Sequence, residues 1–134
     1  MIKIIVITHG QLGAELIRTA ESIVGKQEEA VILTLNSNES LSTMCERVGE
    51  AIKDTDENGA LIMTDMLGGT PCNACLPFCN TNNIEVVSGV NLYMILSSFI
   101  NRNHLTLKDL AGKVINDGKK SINNAKEIFL KKLK

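Results

Sequence analysis

Tryptophan is absent from the 134-residue chain, and one tyrosine and three phenylalanines hold the aromatic share at 3%. With 44% of residues hydrophobic, the core must be built from Ile, Leu, Val, Met and Ala, which suits buried strands flanked by helices. An excess of either charge is also lacking, since 14 basic and 15 acidic residues leave a formal net charge of -1. The charges intermingle until the Lys-rich end at Lys131, Lys132 and Lys134, which reads as a solvated helix face. No basic excess marks one face, so a nucleic-acid partner is not expected. No stretch approaches the roughly 20 apolar residues that span a bilayer. The N-terminus enters an apolar strand-like segment at Ile2 without the basic flank and long apolar region of a secretion signal, so a cytoplasmic location is expected. Three of the four cysteines, Cys72, Cys75 and Cys79, crowd together away from Cys45, unlike a distributed disulfide framework. No linker, internal repeat or low-complexity segment divides the chain. Residues 1–134 read as one domain, long enough to bury about two-thirds of its unfolded surface around one core.

Four short apolar runs are present: Ile2 to Thr8, Ala30 to Leu35, Ala60 to Thr64 and Ile84 to Ser88. They are nearly continuous in Ile, Val, Leu and Met, as expected of parallel strands covered on both faces. Each precedes a segment with helical spacing. Leu12, Leu16, Ala20 and Ile23 form the first stripe, with Gly25 placed to end that helix. Leu41, Cys45, Val48 and Ile52 form the second, with Asn38 or Ser40 as N-cap. The third helix is expected from Thr70-Pro71, with Thr as N-cap and Pro at the first helical position. Leu92, Ile95, Leu96 and Phe99 mark a fourth between about Asn91 and Ile100, and Thr106-x-x-Asp109 resembles a capping box opening a fifth. From Gly118 onward, Ile122, Ala125, Phe129 and Leu133 have helical spacing, while Asp117-Gly118 leaves room for a turn and a short strand. The fold class is α/β: a doubly wound, mainly parallel sheet of order 2-1-3-4, with helices on both faces and room for an extra antiparallel C-terminal strand. Its binding crevice lies where the winding reverses, between the first and third strands.

Two polar segments converge on that crevice. His9 follows the first strand, with Gly10 allowing a close turn. A neutral imidazole offers one ring nitrogen as a nucleophile, although a histidine at a strand end is also an ordinary hydrogen-bonding residue. The second segment runs from Asp65 through Met-Leu-Gly-Gly to Thr70-Pro-Cys-Asn73. Gly68 and Gly69 let the backbone approach an anion at a helix start, and the Thr70 hydroxyl adds a donor. The lysine of a P-loop is missing, and so is G-x-G-x-x-G. Asp65 either caps the glycine loop or bonds Nδ1 of His9, fixing the tautomer and leaving Nε2 free to attack.

Together these residues resemble the enzyme IIA component of the mannose class (mannose/fructose/sorbose) of the bacterial phosphoenolpyruvate-dependent sugar phosphotransferase system. The resemblance runs from the Ile-Val-Ile-Thr-His9-Gly segment through Asp65 to Asn73 and on to Ser88-Gly-Val-Asn91. It implies a phosphotransferase component in which His9 carries the phosphoryl group, Asp65 is its hydrogen-bonding partner and Thr70 lies near the group. It further implies that HPr donates, that a IIB protein accepts for sugar uptake, and that membrane IIC and IID components take part indirectly. Asn91 and Gly10 are expected to shape the site, and no cofactor is implied. Family members form homodimers with an exchanged C-terminal antiparallel strand, which would account for the tail from Gly118. Tyr93 stands where many members have proline, and the three clustered cysteines replace small or apolar residues.

The same phosphorylated domain could act as a regulatory module docking on a regulator, and a subunit serving dihydroxyacetone kinase is a relative of that idea. Cys72, Cys75 and Cys79 could hold a metal or form a redox pair; a fourth ligand is wanting, and Cys75 and Cys79 are spaced to share one helix face in the core. No metal ligand set is assigned. His104 reads as a surface residue, and Arg18 as an exposed helix charge that could face an acidic partner.

Overall fold

The computed structural model describes residues 1–81 and 83–133, so Lys134 of the basic tail lies outside the described residues. The elements run β1 (Lys3–His9), α1 (Leu12–Val24), β2 (Ala30–Leu35), α2 (Leu41–Ile52), β3 (Ala60–Thr64), α3 (Thr70–Asn73), a 3-10 turn (Leu76–Phe78), β4 (Ile84–Ser88), α4 (Leu92–Asn101), α5 (Leu107–Lys120) and α6 (Ala125–Lys132). The four strands form one sheet in the order β2-β1-β3-β4. All three pairings are parallel, with Ile5 opposite Val31 on one side and Ile62 on the other.

The alternation of side chains along the strands divides the interior into two layers. Ile4, Val6, Leu61 and Met63 pack with Ile17 and Ala20 of α1, Ile95 and Phe99 of α4, and Leu110 and Val114 of α5. Ile5, Ile7 and Ile62 face the opposite way, onto Met44 and Val48 of α2 and Cys75 after α3. Reversal of the covering face between α1 and α2 makes the sheet doubly wound and opens a crevice between the carboxyl ends of β1 and β3.

Several local expectations are corrected. The buried stripe of α1 is Gly13, Ile17 and Ala20, while Leu12 and Ile23 face solvent. Leu41 is likewise exposed, and Met44 and Val48 carry the buried face of α2, whose N-cap is Ser40. The third helix is capped by Gly69 rather than Thr70 and lasts four residues. Pro77 lacks the amide hydrogen that would continue it, and the chain tightens into the 3-10 turn. Asp117-Gly118 makes no turn: α5 runs through it because Gly118 lets the helix approach Met94, where a Cβ would lie 2.6 Å from Cγ. The tail beyond is helical rather than a strand, with Asn124 accepting from the Glu127 amide at its start. No residue of α6 is buried, and Ile128, Phe129 and Leu130 remain exposed. Among the described residues no helix is long and apolar enough to cross a membrane.

Candidate active site

The site begins with the way β1 ends. His9 is the last residue of the strand, in register with Leu35, rather than the first beyond it. Gly10 then takes φ +52° and donates its amide to Leu35 O at 3.1 Å, a left-handed turn that favours glycine. The buried Thr8 hydroxyl accepts the Gly13 amide at 2.7 Å. Gln11, the N-cap of α1, makes no side-chain cap, so a strand residue supplies the acceptor that the helix start requires. His9 is thereby held between a strand and an anchored helix.

Asp65 follows the last residue of β3. Its Oδ2 lies 2.7 Å from His9 Nδ1 and also accepts the His9 amide at 3.0 Å. Its Oδ1 accepts the Met66 amide at 3.0 Å. Burial acts against the charged carboxylate, but the His9 amide and ring outweigh it and hold Asp65 below the ordinary carboxylate range. An ionised carboxylate only accepts, so Nδ1 carries the proton and the neutral ring keeps its lone pair on Nε2. The carboxylate is 12% exposed and the imidazole 48%, a sheltered anchor beneath an accessible ring.

Behind the ring runs the glycine loop. A Cβ on Gly69 would fall 3.0 Å from His9 Cε1, the carbon between the two nitrogens, so glycine lets this backbone lie close to the imidazole without displacing the ring. Gly68 has φ +82°, and its carbonyl accepts from the Asn73 side chain at 3.2 Å. Asn73 thus braces the loop from within α3.

His9, Gly10 and Thr70 share a cavity of about 480 Å³ with Leu35, Asn36, Ser37 and Glu39. Those last four, from the end of β2 and the loop after it, escape sequence reasoning because only the register of β2 against β1 brings them to His9. Asn91 lies apart from this cavity: it caps α4 through the Met94 amide at 3.0 Å and donates to Ser121 Oγ at 3.2 Å. Arg18 is exposed and paired with Glu15 on its own helix. His104 sits in the exposed α4–α5 connection, two residues beyond Arg102, whose guanidinium reaches Ile2 O at the other end of the sheet.

Cys72 and Cys75 are buried, whereas Cys79 is exposed rather than sharing the core with Cys75. Burial pushes the Cys75 thiol up to about 12, and it donates to Pro71 O at 3.4 Å, the behaviour of a protonated packing group. Among the described residues no group of three or more His, Cys, Asp or Glu side chains is placed to hold a metal ion.

A family model described as PTS system fructose IIA component (EIIA-man) matches residues 3–115. A fructose-specific EIIA component from Bacillus subtilis (strain 168) is 32% identical over 112 residues, covering 82% of this chain and 77% of the relative. A mannose-specific EIIAB component from Escherichia coli (strain K12) is 30% identical over 103 residues, or 75% of this chain; the match spans 32% of that longer protein. The crystal structure of phosphotransferase system component EIIA from Streptococcus agalactiae aligns with a TM-score of 0.86 at 30% identity, over 92% of this chain and 97% of that one. With the model spanning most of its length and the fold shared, the chain belongs to the enzyme IIA family of the mannose class of the sugar phosphotransferase system.

Proposed function

We propose that this chain is a cytoplasmic phosphoryl carrier in which His9 Nε2 takes the group from phosphorylated HPr and passes it to a histidine of a IIB protein, serving sugar uptake through membrane IIC and IID components. The observation that carries this reading is the 2.7 Å contact between Nδ1 and Asp65, which leaves Nε2 as the unprotonated nitrogen of a ring lining an open cavity. In the first transfer the donor's N–P bond breaks and its imidazole leaves with the electron pair, while the Nε2 lone pair forms the new N–P bond. Positive charge grows on the His9 ring and is met by Asp65. The phosphoryl oxygens are received by the backbone at Gly68 and Gly69 and by the Thr70 hydroxyl. The two N–P bonds are alike in energy, so the step relies on positioning and electrostatics. A second, identical transfer delivers the group to the acceptor.

Leu12, three residues after His9, and Met66 and Leu67, directly after Asp65, are exposed, with Leu67 at 80%. Apolar side chains held in solvent on the two chain segments that carry His9 and Asp65 favour a protein partner over a small phosphoryl donor. The uncovered apolar residues of α6 support a homodimer in the same way. Incubation with phosphorylated HPr is expected to label the wild type and leave His9→Ala unlabelled; label persisting in that variant would overturn the assignment.

A further inference from the structure

The loop between β2 and α2 forms the outer wall of the His9 cavity, and its construction is specific. Glu39 N–H donates to Asn36 O at 3.0 Å, closing a tight turn with Ser37 at its first central position. The Glu39 carboxylate doubles back to accept the Asn36 side-chain amide at 2.9 Å and the Asn36 backbone amide at 3.3 Å. It is held in turn by Arg47, whose Nη1 stands 2.7 and 2.8 Å from its two oxygens and also donates to Thr34 O at 2.8 Å. The Arg47 side-chain bond draws Glu39 below its ordinary carboxyl value. The turn is therefore braced from α2 back to the end of β2, next to the strand that carries His9. None of these bonds uses the Ser37 hydroxyl, although Ser37 lines the cavity with His9 and Thr70.

We propose that Ser37 is a phosphoryl-binding residue whose hydroxyl donates to a phosphoryl oxygen on His9 Nε2, and that Glu39, held by Arg47, is the positioning residue that presents it. This rests on the carrier reading of His9 and extends it. The glycine loop and Thr70 receive the group from one side of the cavity, and the β2–α2 turn closes on it from the other. Arg47 gives the wall a second function. A bare carboxylate across the cavity would repel a dianionic phosphoryl group, and the guanidinium removes that repulsion.

The experiment labels the protein with phosphoramidate, a small donor that needs no protein docking: its N–P bond breaks, ammonia leaves, and the bond to the imidazole forms. The lifetime of the phosphohistidine and its phosphorus NMR shift are then followed. The wild type is expected to label at His9, and Ser37→Ala to label too but lose the group about tenfold faster with a displaced resonance, the scale of one charge-assisted hydrogen bond. Ser37→Thr should restore both readouts. Glu39→Ala should shorten the lifetime as well, and Ser37→Ala added to it should bring little further loss, since both act through one hydroxyl. A Ser37→Ala phosphoprotein with wild-type lifetime and resonance would overturn the Ser37 assignment, and additive losses in the double variant would overturn the positioning role of Glu39. Failure of the wild type to label, or label on His9→Ala, would instead refute the carrier reading beneath it.

Discussion

Asp65 does two things with two oxygens: Oδ2 takes both the His9 amide and Nδ1, and Oδ1 takes the Met66 amide. An asparagine has one oxygen, so Asp65→Asn places an NH2 group against a donor whichever way it turns. It also removes the negative charge that would meet the ring cation in the proposed transfer. Transfer from phosphorylated HPr should fall about ten- to hundredfold, the loss expected for one charge-assisted bond, with folding retained; initial labelling rates check this. The pH dependence follows from the depressed pKa of Asp65. Its contribution is fully present above the ordinary value of 3.8 and is lost only as pH falls through the lower folded value, so Asp65 stays charged across the neutral range. Much of this residue pair was legible in the sequence, because both side chains directly follow continuous apolar runs, and parallel strands carry such ends to one crevice. Asn36, Ser37 and Glu39 were not legible. A polar turn between a strand and a helix looks alike whether it faces a cavity or bulk water.

At the scale of elements, the strands were readable because a parallel sheet buried on both faces leaves a run of Ile and Val with no alternation to misread. The helices were readable in existence but not in detail. Leu12 and Ile23 fit the periodicity of α1, yet tertiary packing buries Gly13 and Ile17 instead, since Gly13 sits where a Cβ would be 3.0 Å from Val6 Cγ1. The start of α1 carries no recognisable cap in its own sequence because the acceptor is Thr8, on the preceding strand. Thr8→Val keeps the shape and removes that acceptor, leaving the buried Gly13 amide unsatisfied. A loss of about 1–3 kcal/mol in urea-unfolding stability is expected. Because Thr8 adjoins His9, the labelling rate should fall along with it.

Across the whole molecule, the two ends of the sheet have separate tasks. The carboxyl end carries the site, and the amino end is tied together by Arg102, 3% exposed, from the end of α4. Its guanidinium donates to Ile2 O at 3.2 Å, Glu29 O at 3.1 Å, Glu28 O at 2.6 Å and the Gln27 side chain at 3.2 Å, and stacks over Phe99 at 5.2 Å. One side chain thereby joins α4, the start of β1 and the approach to β2. Arg102→Met fills similar space but strands these carbonyls, so stability should drop by about 2–4 kcal/mol in denaturant titration. His9 chemistry, at the far end, should keep its rate in the folded fraction. This separation lets the His9 cavity stay open without loosening the core.

The most direct measurement is the imidazole nitrogen–proton NMR spectrum of the protein after phosphorylation by HPr. A single phosphohistidine is expected at His9, with phosphorus on Nε2 and a proton retained on Nδ1 facing Asp65. Phosphorus on Nδ1, or on any other side chain, would contradict it.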